Sequence, residues 1–94
     1  MMESNSGALI EMPKYQSHKK VWALKIGQIK MEDINDDGST LLRPTDEKYA
    51  PILVDKEFMN SRKPDRDGGY YVVYEDGYKS FSPTKAFEEG YTKI

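Results

Sequence analysis

The chain has 94 residues, enough for one domain, and its formal charge of −2 points to neither a nucleic-acid nor a membrane partner. It contains no cysteine, which excludes disulfides and thiol chemistry and makes a cytosolic protein the simplest expectation. No apolar run approaches the roughly 20 residues of a membrane-spanning helix, and no signal peptide is predicted.

A flexible leader is predicted to precede the folded part of the chain. Residues 1–13 are mostly small or polar and show no hydrophobic periodicity. Pro13 then separates them from residues 14–94, which carry the patterns of regular secondary structure. We therefore expect a single α+β domain over residues 14–94.

The first predicted hairpin spans residues 21–43. Trp22, Ile26 and Ile29 fall at helical spacing, so a helix is one interpretation of this segment. We favour a strand that continues to about Glu32. An Asn-Asp-Asp-Gly turn signal and an apolar return strand follow it, as expected for a hairpin.

A short helix is predicted between this hairpin and the next. Residues 51–54 form a brief apolar segment, which we expect to be extended. Asp55 can cap a helix that runs to about Ser61, because its carboxylate can accept a hydrogen bond from the first turn. Phe58 and Met59 are expected to face the interior.

The clearest local signal is a second hairpin, at residues 69–82. Its Asp76-Gly77 dipeptide is the one that a two-residue type I′ turn prefers, although a longer loop with a bulge would shift the register by one. The two-residue turn gives one apolar face, expected to be the core face: Tyr70, Val72, Tyr74 and Phe81. The other face mixes aromatic and hydroxyl groups: Tyr71, Val73, Tyr78, Ser80 and Ser82.

A helix is predicted to follow this hairpin. Ser82 is a favourable N-cap, and Pro83 is tolerated at the first helical position. Ala86 and Phe87 would supply the inward contacts, and Gly90 can end the helix. The expected fold is α+β: a small antiparallel sheet built from the two hairpins, with a short middle helix and a C-terminal helix.

One segment resembles a calcium-binding loop. Asp33-x-Asn35-x-Asp37-Gly38 matches the first half of an EF-hand, but Pro44 stands where that loop needs a bidentate glutamate. The turn of the first hairpin explains the same residues. We therefore predict no metal and no other cofactor.

His18 is the only histidine in the chain. With no cysteine and no serine-nucleophile motif beside it, we expect no enzyme, and a single histidine does not make a zinc site. Ser17, Lys19 and Lys20 add hydroxyl and ammonium donors, which suit a phosphate or an acidic partner. A solvated entry to the first strand would explain the same residues.

The tyrosine-rich face of the second hairpin is the other candidate site. Rings such as Tyr71 and Tyr78 can stack a base, and the hydroxyls of Ser80 and Ser82 can bind ribose or phosphate. Alternatively, these tyrosines pack under a helix or a second subunit. The RNA-binding signature of the four-stranded RNA-recognition sheet is absent, and the charge is slightly acidic, which disfavours nucleic acid as the partner.

The C-terminal segment resembles a group of small proteins encoded by tailed phages and prophages. Their pattern is Gly-Tyr-x-Val-x-Tyr-x-Asp-Gly-Tyr-x-Ser-(Phe/Trp)-Ser-Pro-x-x-x-Phe-Glu, and residues 69–91 read GYYVVYEDGYKSFSPTKAFEEGY. Residues 15–26, YQSHKKVWALKI, are similar to the start of one branch. The resemblance implies a phage accessory protein that acts in the host and carries over no catalytic residue.

We therefore expect a non-enzymatic, oligomeric binding protein that counters host immunity in the host cytoplasm. Its most concrete form is a sponge that traps a cyclic nucleotide or cyclic ADP-ribose-type signal at a subunit interface. Six residues are expected to bind the ligand through a stacking ring, an ammonium group or a hydrogen bond: Tyr71, Tyr78, Lys19, Lys79, His18 and Ser80. The alternative is a protein-interaction module that inhibits or redirects a host or phage enzyme.

Overall fold

A computed structural model describes residues 11–16 and 20–93 of the chain. These residues form seven β-strands, two α-helices and a short 3₁₀ helix at Met31–Asp33. The strands and α-helices are β1 (Lys14–Gln16), β2 (Lys20–Ile26), β3 (Thr40–Leu42), β4 (Ile52–Val54), α1 (Lys56–Arg62), β5 (Gly69–Tyr74), β6 (Lys79–Pro83), α2 (Thr84–Gly90) and β7 (Thr92–Lys93). The α+β class predicted from the sequence is confirmed.

Five strands form an antiparallel sheet in the order β6-β5-β2-β1-β7, and β3 pairs with β4 in a second, two-stranded sheet. Backbone hydrogen bonds join the two sheets at the end of β2. Gly27 N donates to Arg43 O and Thr45 N donates to Lys25 O, each at 2.9 Å. The second sheet therefore lies against the end of β2 that is distant from the β5–β6 turn.

Both faces of the five-stranded sheet are covered, each by its own hydrophobic core. The first core lies beneath α2 and contains Val21, Ala23, Tyr70, Val72 and Phe87. The second core lies beneath the β3–β4 sheet and α1, and its buried members are Ile26, Ile29, Leu42, Val54 and Tyr71. Burial on both sides explains why β5 carries a continuous aromatic and valine sequence rather than a polar alternation.

The first predicted hairpin is wrong in its pairing. A strand does form, as we favoured, but it ends at Ile26 rather than near Glu32. β2 pairs with β1 and β5, and the expected return strand, β3, pairs with β4. β5 offers β2 six consecutive partners, from Val21↔Tyr74 to Ile26↔Gly69, whereas β3 is only three residues long.

The second hairpin is confirmed, but its register differs by one residue from the two-residue turn. Tyr74 N donates to Tyr78 O (2.9 Å) and Gly77 N donates to Tyr74 O (2.8 Å), so the loop holds three residues. Of its residues only Gly77 has a positive φ, of 91°, as in a type I turn that ends in a glycine bulge. Phe81 consequently lies opposite Tyr71 and joins the second core, not the face of Tyr70.

The middle helix matches its prediction, whereas the C-terminal helix starts late. Asp55 caps α1 by accepting a hydrogen bond from Phe58 N at 2.8 Å. Ser82 remains paired with Tyr70 in β6, and α2 begins after Pro83 with no side-chain cap. Phe87 is buried as expected.

Three details of the predicted C-terminal and N-terminal segments differ. Ala86 is exposed rather than inward, and Gly90 lies inside α2 rather than after it. Within the predicted leader, residues 1–10 lie outside the described residues. Met12 already packs against the second core, and Pro13 O accepts a hydrogen bond from Ala23 N at 2.9 Å. Contact with the sheet therefore begins before residue 14.

Candidate binding surface at the hairpin end of the sheet

The predicted ligand-binding residues divide into three groups in the structure. His18 and Lys19 lie outside the described residues. Tyr71 is only 6% exposed and packs in the second core, with its ring centroid 6.0 Å from that of Phe58 on α1. Removal from water raises the pKa of the Tyr71 phenol. This ring has no free face for a ligand, so the prediction that Tyr71 stacks a base is wrong.

Tyr78 and Lys79 are exposed, and Ser80 is half-buried. Lys79 lies opposite Val73, on the side of the second core, whereas Ser80 lies opposite Val72, on the side of the first core. Cross-strand partners project from the same face of a sheet. Lys79 and Ser80 therefore project from opposite faces, and Lys79 shares a cleft with Tyr78.

The ring of Tyr78 is held between two neighbours. Its centroid lies 5.7 Å from that of Tyr74 and 4.8 Å from Cζ of Arg62. Arg62 Nε also donates to Lys79 O at 3.0 Å, and its Nη1 donates to Ser61 Oγ at 3.2 Å. Because Arg62 is fixed by these bonds, its cation–π contact positions Tyr78 while 51% of that residue stays accessible.

Tyr78 lines two clefts. One, of about 480 Å³, is lined, among the described residues, by Lys20, Tyr74, Glu75, Asp76 and Tyr78. The other, of about 550 Å³, lies between α1 and the hairpin and includes Phe58, Arg62 and Lys79. An exposed aromatic ring between two concave surfaces is the main feature of this end of the sheet.

The two lysines of these clefts differ from Lys14 and Lys25 of the same sheet. Lys25 Nζ lies 3.5 Å from Glu88, and Lys14 Nζ lies 3.6 Å from Glu11. Among the residues that the structure describes, the ammonium groups of Lys20 and Lys79 have no ion pair and no hydrogen bond. They are free to meet an anion. The carboxylates of the first cleft can accept hydrogen bonds from hydroxyl groups.

The calcium-like segment is occupied by internal contacts. Asp33 is buried and receives two hydrogen bonds from Arg43, at 2.9 and 3.0 Å, which hold the pKa of its carboxyl below its usual range. Asp37 accepts from N and Oγ of Ser39 at 2.9 and 2.6 Å. Asn35 N donates to Ser39 O at 2.8 Å, so these residues form the tight turn that the sequence predicts. Within the described ranges, no group of three or more metal-ligating side chains occurs.

Trp22 is not a candidate in the sequence analysis, and Lys20 is named there only as a donor beside His18, outside the six residues expected to bind the ligand. Trp22 is half-buried and, with Lys20, lines a smaller cleft of about 220 Å³. The alternation of side chains along β2 places both on one face, so a correct strand assignment contains the signal. In the sequence alone, Trp22 indicates only the secondary structure of its segment.

Comparison with known proteins gives no relative. No protein-family profile, no curated protein and no solved structure matches this chain. Neither of the two described helices is long and apolar enough to cross a membrane. The candidate site is therefore defined by its own geometry.

Proposed function

We propose that this chain is a non-enzymatic phage accessory protein that counters host immunity by sequestering a nucleotide-type signal in the host cytoplasm. The signal is a cyclic dinucleotide or a cyclic ADP-ribose derivative. The likeness of residues 69–91 to small phage proteins supports the phage assignment, and the surface around Tyr78 supports the binding role.

The exposed ring of Tyr78, placed beside an unpaired lysine, is the observation that carries the proposal. The ring can stack a base, Lys20 can meet a phosphate, and Glu75 can accept a hydrogen bond from a ribose hydroxyl. The cleft volume of about 480 Å³ falls within the range of roughly 300–1,000 Å³ that is typical of small-molecule sites.

A second copy of the chain would complete the site. The cleft is open to solvent, whereas small-molecule sites bury about 70–90% of a ligand's surface. A homo-oligomer that places the cleft at a subunit interface would supply the missing wall. The proposal therefore predicts that ligand stoichiometry follows the number of interfaces.

Native mass spectrometry of the full chain tests this proposal, first alone and then with a panel of cyclic nucleotides and ADP-ribose derivatives. We expect a discrete oligomer that gains one ligand per interface. Replacing Tyr78 by Ala should weaken binding by about 1–3 kcal/mol through loss of the stacked ring. Leu53→Ala, which shortens an exposed side chain on β4, is the matched control and should leave binding unchanged. A protein that stays ligand-free across the panel would contradict the proposal.

A protein-interaction module that inhibits or redirects a host or phage enzyme is the second candidate. The contact between Arg62 and the exposed Tyr78 supports it, because arginine and tyrosine are enriched among the residues that dominate binding at protein interfaces. This candidate predicts that one host protein co-purifies with the chain in a stoichiometric amount. The host protein should no longer co-purify with the Tyr78→Ala variant, and it should still co-purify with the Leu53→Ala variant. A nucleotide bound to the purified protein would favour the sponge instead.

A further inference from the structure

A second aromatic ring lies at the same end of the sheet as Tyr78. Trp22 of β2 is the cross-strand partner of Val73 on β5 and of Lys14 on β1. Lys20 is two residues before Trp22 on the same strand, so the two side chains project from one face, about 7 Å apart. Continuing the β2–β5 register by one residue places Glu75 opposite Lys20.

The ring of Trp22 is fixed from one side. Its Nε1 donates to Glu11 Oε2 at 2.8 Å, and Lys14 Nζ lies 5.6 Å from the ring centroid. Lys14 also pairs with Glu11 at 3.6 Å, which balances the charge of that carboxylate. Trp22 is nevertheless only half-buried. A positioned indole ring that keeps accessible surface is suited to stacking.

The cleft beside Trp22 borders the cleft beside Tyr78. Lys20 and Glu75 line both, one cleft of about 220 Å³ and one of about 480 Å³. Trp22 lines one cleft, Tyr78 lines the other beside Tyr74, and the two clefts share a lysine and a carboxylate. A nucleotide offers matching groups: rings to stack, a phosphate for Lys20 and a ribose hydroxyl for Glu75.

We propose that Trp22 is a second stacking subsite, and that the two clefts are halves of one site for a ligand with two aromatic bases linked through phosphate. This inference rests on the proposed function and narrows it. A cyclic dinucleotide carries two bases and can occupy both halves, whereas cyclic ADP-ribose carries one. The ligand class is therefore the cyclic dinucleotide.

The test uses the intrinsic fluorescence of Trp22, the only tryptophan in the chain. The full-length protein is titrated with cyclic di-AMP and, separately, with cyclic ADP-ribose. We expect cyclic di-AMP to change the tryptophan emission saturably and to bind at least about tenfold more tightly, since each stacked base contributes a factor of that order.

Three variants locate the two rings by calorimetry. Trp22→Leu and Tyr78→Leu should each weaken cyclic di-AMP binding about tenfold. Trp22→Phe keeps a ring in the second subsite and should restore most of the affinity, which a purely structural role for the Glu11 hydrogen bond would not predict. Leu53→Ala is again the control, and thermal unfolding of every variant checks that it is folded.

The outcomes separate this inference from the function on which it rests. Tyr78-dependent binding in which Trp22→Leu retains full affinity would overturn the second subsite and leave the sponge standing. Equal or tighter binding of cyclic ADP-ribose would do the same. If neither probe binds, the inference is overturned, and the proposed function is overturned with it when the wider panel of cyclic nucleotides and ADP-ribose derivatives also gives no complex.

Discussion

The middle of the β5–β6 hairpin and its turn end are built from the same kinds of residue but have different surroundings. In the middle, Tyr70 and Tyr71 are buried on opposite faces, under α2 and under α1 with the second sheet. At the turn, Tyr78 is exposed, with an arginine and two clefts beside it. Residue type alone therefore does not identify a binding ring in this chain. A binding ring is identified by whether a helix or the second sheet covers it.

Removing one tyrosine from each region gives the largest expected contrast. Tyr71→Ala should lower the free energy of unfolding by about 3–5 kcal/mol, because it leaves a cavity between the sheet and α1. Tyr78→Ala should cost no more than about 1 kcal/mol, mainly its cation–π contact with Arg62. Urea denaturation measures both. Similar losses for the two variants would contradict the distinction between a covered middle and an open end.

Two glycines extend the same comparison to the backbone. A Cβ on Gly68, which precedes β5 and has φ +102°, would clash with Ile26 O, so Gly68→Ala should lower the free energy of unfolding by about 3 kcal/mol or more. Gly77 in the turn has φ +91° but no atom within 4 Å of the added Cβ, and Gly77→Ala should cost about 1–2 kcal/mol. Thermal unfolding ranks the variants, and a Gly77 effect larger than that of Gly68 would count against the described packing.

The ion pair between Asp33 and Arg43 should make the free energy of unfolding depend on pH. The bidentate contact with Arg43 lowers the pKa of Asp33 in the folded protein from its usual 3.8. The carboxyl of Asp33 therefore binds a proton more readily in the unfolded chain than in the folded protein. The stabilisation from the Asp33–Arg43 pair is fully present above the pKa of Asp33 in the unfolded chain, and it is lost as the pH falls through the pKa of Asp33 in the folded protein. In Asp33→Asn, the free energy of unfolding, measured by urea denaturation at a series of pH values, should fall less steeply below about pH 4. An unchanged slope would show that the ion pair does not form.

The smallest expected effects distinguish the starts of the two helices. Asp55→Ala removes an observed cap and should cost about 1 kcal/mol. Ser82→Ala should change stability by no more than about 0.5 kcal/mol, because Ser82 is a strand residue and caps no helix. Urea denaturation curves of the two variants measure the difference. An equal loss of unfolding free energy for Ser82→Ala and Asp55→Ala would indicate that Ser82 caps α2 after all.

Features that depend on neighbouring residues could be predicted from the sequence. The cap at Asp55, the turn at residues 35–38 and the tyrosine-rich hairpin each follow from a few adjacent side chains. The partner of β2 could not be predicted in the same way. β5 lies more than forty residues further along the chain, and strand pairing at that separation is set by tertiary packing.

The candidate site depended on the same distant contacts. Whether Tyr71 or Tyr78 is accessible is decided by where α1 docks and by a one-residue difference in the hairpin loop. A shift of one residue moves a side chain to the opposite face of the sheet, which is why Phe81 and Ser80 exchanged faces relative to the prediction. Trp22 became a candidate only once its partners on β1 and β5 were known.

Nuclear magnetic resonance mapping of the full chain during titration with cyclic di-AMP would locate the ligand site residue by residue. We expect the largest chemical-shift changes at the backbone amides of Lys20, Glu75 and Tyr78 and at the indole N–H of Trp22. The amides of β3, β4 and α2 should move little. Shifts centred on those elements, or no shifts at all, would contradict a ligand site at the hairpin end of the sheet.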